Sequence, residues 1–362
     1  MKKVTLFVFF FGITLSCFSQ ALGYQDLALL FSKDNNTGSA RFSSMSGAFG
    51  ALGGDVSAIG INPAGAAVFN TSLANISVNS RNTDIKSTYY NNSKTTTDNF
   101  FDFSQTGAVF VFNNYDVNNW NKFAFSFNYN IKNDFRNSFI ADGNSGEATF
   151  IEFPLDNVNP KIQYTNAEGQ EFANTYKGEI AEYNFAISGL YKDELYLGLA
   201  LNTYDLKFSQ RATLSEYNND GNGNTLDTNF YQENYTTGTG FSLNAGFIYK
   251  ATNNLRLGFS YQTPTWFTEI QEDTNVLDND GFLGDTEIIA SNNNTIYDNT
   301  VGNYYPSQFF DYKLKTPGKL TASLAYVFGT NGLFSVDYTY KNYKNIKLSN
   351  DDFTTENQFF SN

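Results

Sequence analysis

No histidine occurs anywhere in the 362 residues, and the single cysteine, Cys17, lies close to the start. The first absence removes the imidazole on which most general acid-base catalysis and much transition-metal binding depend. The second leaves everything after Cys17 without a disulfide or a thiol nucleophile. Charge is sparse as well, at 16% of residues, and it is lopsided: 36 Asp and Glu against 23 Lys and Arg give a net charge of −13. A chain so acidic is a poor partner for nucleic acid. Past the first twenty residues, no segment approaches the eighteen or so uninterrupted apolar residues of a membrane-spanning helix.

What is abundant is aromatic. Phe 37 and Tyr 24 bring the aromatic share to 17%, and that surplus must face something apolar. The chain opens with Lys2 and Lys3 before the apolar run VTLFVFFFGITL, the pattern of a secretory signal over residues 1–19, with Gln20 as the mature terminus. A lipoprotein reading of Cys17 fits less well, because TLSC lacks the usual Leu three before the cysteine and the Gly or Ala one before it. Export without disulfides points to a bacterial envelope. If the protein meets a membrane there, it does so with strands.

Two-residue alternation is the mark of a strand with two unlike faces. In NKFAFSFNYNIKN, Phe123, Phe125, Phe127, Tyr129 and Ile131 share one face and Lys122, Ala124, Ser126, Asn128 and Asn130 the other. One face suits lipid and the other water. LYLGLALNTY from Leu195, GFSLNAGFIYK from Gly240, LRLGFSYQ from Leu255, KLTASLAYVF from Lys319 and FSVDYTY from Phe334 repeat the pattern. Weaker examples begin at Leu73, Gly107 and Glu182, which makes about nine strands of spanning length. Long polar connections near 83–102, 133–180, 210–236 and 271–317 alternate with short turns such as KDE, KATNN and GTNG. Short periplasmic turns and long extracellular loops are the pattern of an outer-membrane barrel. An odd strand count leaves two unpaired edges in hydrocarbon, so a longer barrel is expected. The final DDFTTENQFFSN does not alternate and reads as the start of another extracellular loop.

About fifty residues of the mature chain precede the first strand, and they differ in kind. YQDLALLF from Tyr24 is a short amphipathic piece, Asp55 can cap VSAI, and Asn62 before Pro63 matches a helix start. Compact and rich in small residues, this segment has the properties of a plug, and residues 20–70 are assigned to it, with 71–362 as the barrel.

The run ARFSSMSGAFGALGGDVSAIGINPAGAAVF, Ala40 to Phe69, resembles the N-terminal hatch of the FadL-type outer-membrane transporters of long-chain fatty acids and other hydrophobic compounds. Their Asn-Pro-Ala motif falls on Asn62, Pro63 and Ala64. LGFSYQTP, LKTPGKLTASLAYVF and FSVDYTYKNYKNIKL are similar to later strands of the same family. The resemblance implies an all-β fold: a transmembrane antiparallel β-barrel of fourteen strands, with a mostly helical or looped hatch in the lumen. About five of those strands are missing here. It also implies passive uptake, in a monomer surrounded by outer-membrane lipid, of a hydrophobic small molecule gated by the hatch, with no cofactor. The family's lateral exit comes from an inward kink in the third strand, and NKFAFSFNYNIK has no Gly or Pro to make one.

Asn62, Pro63 and Ala64 are then gate-region residues, or simply a helix cap. Arg41 and Arg256 are candidates for a carboxylate head group, or pair with a lumen acid. NNDGNGNTLD starts like a calcium loop at Asn218, Asp220, Asn222 and Gly223, but Asn229 stands where a bidentate Glu is needed; DNDG at Asp278 reads similarly, and a solvated turn is the expectation. No metal is expected. Some FadL-like barrels act instead as shuttles in type IX secretion, binding a secreted cargo protein, and that alternative stays open. An enzyme is not expected, since an outer-membrane phospholipase would need its Ser-His pair.

Overall fold

The computed structural model describes residues 22–113, 119–152, 158–278, 287–290, 296–298 and 308–361. The signal expected at residues 1–19 lies outside them. Among the described residues no helix is long and apolar enough to cross a membrane, which has no bearing on strands.

Three helices, α1 (Tyr24–Phe31), α2 (Ala40–Ser44) and α3 (Thr354–Ser361), accompany sixteen strands. These are β1 (Leu73–Tyr89), β2 (Asn92–Asn113), β3 (Trp120–Asp134), β4 (Asn137–Gly143), β5 (Phe150–Glu152), β6 (Asn166–Tyr191), β7 (Leu195–Asn219) and β8 (Thr225–Lys250). Then come β9 (Leu255–Gln262), β10 (Trp266–Asp278), β11 (Glu287–Ala290), β12 (Ile296–Asp298), β13 (Gln308–Lys315), β14 (Lys319–Val327), β15 (Leu333–Lys341) and β16 (Lys347–Ser349). Thirteen strands form one antiparallel sheet in the order β1-β2-β3-β6-β7-β8-β10-β13-β16, with β4 paired to the far part of β6 and β9, β14 and β15 continuing from the other half of β8. The sheet curls into an incomplete barrel.

All nine expected strands are present, and the alternation divides their faces as the sequence implies. On β7, Leu197, Leu199 and Leu201 stand exposed on the outer face, while Tyr196, Ala200, Asn202 and Tyr204 are buried inside. The outer row continues in Phe123, Phe125, Phe185, Ile187, Leu243, Phe259 and Leu324. A continuous exposed apolar band of this extent marks a surface made for lipid rather than water. Ile131 departs from the expectation, because it is buried. A register shift against β6 between Ile131 and Asn133 resets the alternation there.

The loops expected outside the membrane are mostly strand. Residues 83–102 form the far half of the β1–β2 hairpin, closed by Tyr90 and Asn91 at φ 40° and 66°. Likewise β7 and β8 stay paired from Leu195↔Tyr249 to Asn219↔Thr225. Past the apolar band both faces of the β1–β2 hairpin are wet, so NSKTTTDN carries no apolar row to reveal it, while its threonines favour the extended backbone; the far parts of β7 and β8 instead bury polar residues such as Gln210, Glu216 and Asn234 on one face. The closing DDFTTENQFFSN is also not a loop. It folds into α3, whose Phe360 is buried, and Asn357 bonds both the N–H and the carbonyl of Leu348 at 2.9 Å.

Three neighbouring strands break at one level. Thr263-Pro264-Thr265 separates β9 from β10, and Thr316-Pro317-Gly318 separates β13 from β14; residues 342–346 separate β15 from β16. Proline cannot donate to the ladder, so paired strands part there. Beyond the break, Phe267, Ile270, Tyr312, Leu314 and Leu348 turn their buried side chains onto α1.

Candidate functional site

Residues 22–69 pack on the inner face of the sheet, and two 3-10 turns, Ser57–Gly60 and Pro63–Val68, form their tightest part. Asn62 is the pivot. Its side-chain oxygen accepts the Ala64 N–H at 3.1 Å, the cap expected from the sequence. Its Nδ2 donates to the carbonyls of Gly50 at 2.7 Å and of Phe247, on β8, at 3.0 Å. One fully buried amide therefore closes the turn and ties it to the wall. The wall is carved to receive it. A Cβ at Gly198 on β7 would sit 2.3 Å from the Ala64 nitrogen, and one at Gly246 on β8 would sit 2.3 Å from Asn62 Oδ1. Both positions must be glycine for the backbones to meet. Val56, Ile59 and Ala66 fill the adjoining space against Val109, Ala124, Ala186 and Ala200 of the wall.

Arg41 and Arg256 both reach the same glycine-rich turn. Arg41 donates to the Gly54 carbonyl at 3.1 Å and lies over the Phe49 ring. Arg256, on β9, donates to the Leu52 carbonyl at 2.8 Å. In this conformation both support residues 52–54.

The other half of the segment is held differently. Asp34, in the arm between α1 and α2, has Lys341 of β15 at 2.8 Å, Lys132 of β3 at 3.1 Å and Lys319 of β14 at 3.8 Å from its carboxylate. Burial alone would raise its pKa, but the three ammonium groups outweigh that and hold the carboxyl well below the usual carboxylate range. No motif announces this cluster, because its members are spread over 300 residues and none stands out locally.

Above it α1 lies in an aromatic chamber. Leu27, Ala28 and Phe31 pack with Phe135, Tyr204, Phe208, Phe267, Tyr312 and Phe353, most of them from the wall. Such a helix, apolar on nearly all sides, is stable only when enclosed. Its remaining apolar residues, Leu29 and Leu30, with Leu22 just before the helix, border a cleft of about 510 Å³ with Asp26, Lys33 and Tyr343.

The wall has a seam. β2 and β3 hydrogen-bond from Asn113↔Lys122 only as far as Gln105↔Asn130. Past that level Arg136 pairs with Asp102 of β2 and, at 2.8 Å, with Asp134, while Arg81 of β1 reaches Asp134 at 3.2 Å. β3 stops at Asp134 and Phe135 turns inward onto Phe31 and Phe208. The interruption lies just past NKFAFSFNYNIK and uses a buried phenylalanine rather than Gly or Pro. At the Asn218 loop, Asp220 accepts the amides of Asn222 at 2.8 Å and Asn224 at 3.0 Å, a self-contained turn. Among the described residues no group of three or more metal-ligating side chains occurs, and 279–281 of the DNDG run lie outside them.

No protein-family model matches the chain, and no curated protein matches its sequence. Solved structures do. A Pseudomonas aeruginosa FadL homologue superposes with a TM-score of 0.51 at 15% identity, over 88% of this chain and 71% of that one. The monoaromatic hydrocarbon channel CymD gives 0.45 at 11% identity, over 88% and 72% of the two chains. The Ralstonia pickettii toluene transporter TbuX gives 0.42 at 15%, over 85% and 75%. The first of these, together with the hatch-like segment seated against the inner wall, settles the architecture: the chain has the fold of a FadL-type outer-membrane barrel.

Proposed function

We propose that this protein sits in the outer membrane of a Gram-negative bacterium and lets hydrophobic compounds, long-chain fatty acids among them, pass without an energy source, with residues 20–70 as the hatch. The observation that carries this reading is the aromatic chamber around α1 and its open apolar cleft. Apolar surface inside a barrel wall whose inner face is otherwise polar gives a hydrophobic solute a place to rest. Asn128, Asn184, Asn202 and Asn244 line that wall nearer the anchor, and water or a polar group suits them better. In this reading Asn62, Pro63 and Ala64 are the fixed base of the gate, Arg41 and Arg256 brace it, and the β2–β3 seam is the lateral exit.

A hydrocarbon carrying a photoreactive diazirine tests the proposal. With the protein reconstituted in lipid nanodiscs, cross-links are expected in residues 22–33 and 308–315, and Leu30→Glu should reduce them at least tenfold. Cross-links confined to the outer apolar rows, unchanged by Leu30→Glu, would refute it.

A further inference from the structure

The hatch is held by two kinds of force. The Asn62 side chain itself makes only neutral bonds, an amide meeting carbonyls, and the backbone rests in glycine sockets; the charged groups nearby, Arg256 and Asp337, bond to backbone atoms of Leu52 and Gly50 rather than to each other. Residues 22–38 are held toward β3 by neutral bonds also: the Asn35 N–H donates to the Lys132 carbonyl at 3.2 Å, and the Thr37 hydroxyl donates to that of Ile131 at 2.7 Å. Toward the opposite side the contact is ionic. Lys341 and Lys319 come from β15 and β14, which the sheet order separates from β3 by β6, β7, β8 and β9. Asp34 thus bridges the lumen, with ammonium groups from both sides of the curled wall meeting on one carboxylate.

The charge count makes this more than a contact. Three cations converge, and their side chains are only 12%, 13% and 21% exposed. Glu182, which accepts from the Tyr204 hydroxyl at 2.9 Å, is a second carboxylate near Lys132, whose ammonium sits over the Tyr204 ring. Among the described residues Asp34 is the one carboxylate that forms an ion pair with all three. Without it, like charges face each other in a partly dry space, so loss of Asp34 repels where it previously attracted.

We propose that Asp34 is a charge latch: it keeps α1 and the 22–38 arm docked across the lumen, and the hatch opens by releasing this arm while the Asn62 region stays seated. The proposal adds a moving part and a lock to the gate reading, and its test uses no transported compound, so either can fail without the other. With Cys17 replaced by Ala where it is retained, single cysteines at Leu29 and at Ala66 in the reconstituted full chain report arm and anchor through their rates of maleimide labelling. Asp34→Asn should speed labelling at position 29 at least tenfold and leave position 66 within twofold. Adding Lys341→Met to Asp34→Asn removes a repelling charge and should slow labelling at 29 again, whereas Asp34→Glu should behave as the parent. Should Asp34→Asn fail to fold, Lys341→Met alone must still accelerate position 29 by severalfold. Unchanged labelling at 29, equal acceleration at 29 and 66, or no reversal by Lys341→Met would overturn the latch.

Discussion

Replacing Asn62 by Asp separates a cap from an anchor. Asp is nearly as good an N-cap as Asn, so if Asn62 only capped the Pro63–Val68 turn, Asn62→Asp would be almost neutral and Asn62→Ala would cost about 1 kcal/mol. The structure says otherwise, because Nδ2 also satisfies the carbonyls of Gly50 and Phe247. A carboxylate cannot donate to either, and it brings a charge to a fully buried site. Each buried carbonyl left unsatisfied costs about 1–3 kcal/mol, so Asn62→Asp should weaken the seat by at least about 3 kcal/mol and Asn62→Ala by a similar amount. At a factor of ten per 1.4 kcal/mol, this is an opening equilibrium shifted by more than a hundredfold. Hydrogen exchange of residues 50–69 in the reconstituted protein measures it directly. Asn62→Asp exchanging within threefold of the parent would refute the anchor and leave only the cap.

Phe125→Arg places a cation on the outer face of β3 and should cost about 2–4 kcal/mol if that residue faces the bilayer midplane, read as a shift in the urea midpoint of folding into vesicles; no shift would refute the assigned face. Gly198→Ala drives a methyl into the Ala64 nitrogen, a backbone atom that cannot swing away, and overpacking of this kind costs about 1–3 kcal/mol; faster exchange of residues 62–66 is the expected sign. Asp34 sets a pH window. Its carboxyl is lowered below 3.8 in the folded protein, so its stabilisation is complete above that value and is lost as pH falls toward the lower, folded-state pKa. Pepsin should therefore leave the 22–38 arm intact at pH 4 and nick it only in more acidic solution, whereas nicking that begins above pH 4 would contradict the lowered pKa.

How much of this was legible depended on whether the environment on the two faces differed. In the bilayer band it does, and the rows at Phe123 to Tyr129 and Leu195 to Leu201 could be read by eye. Outside that band β1 and β2 continue with both faces wet, while β7 and β8 bury a face made largely of polar residues such as Gln210, Glu216, Asn218 and Asn234, and the same chain looked like loop. The Asn62-Pro63 cap was readable because capping is local. Its bond to Phe247 was not, since nothing near residue 62 names a partner on a distant strand. The proline breaks were visible as QTP and KTP in the text; that they coincide and turn Phe267 and Tyr312 onto α1 depends on strand register. The Asp34 cluster, drawn from four distant segments, left no local trace.

The bond from Asn62 to the Phe247 carbonyl also bears on how the molecule comes into being. It joins positions 185 residues apart. The hatch leads in the chain, yet the surface it closes on comes from β7 and β8, which follow it in synthesis. A segment of small residues whose buried amide finds its second acceptor only on a finished wall, and whose backbone fits only into that wall's glycine sockets, cannot be a domain that folds first and waits. Closing so long a stretch before any reward is collected slows the step. The hatch should therefore be among the last parts to acquire protection during refolding, as though cast in a mould that its own chain has yet to supply.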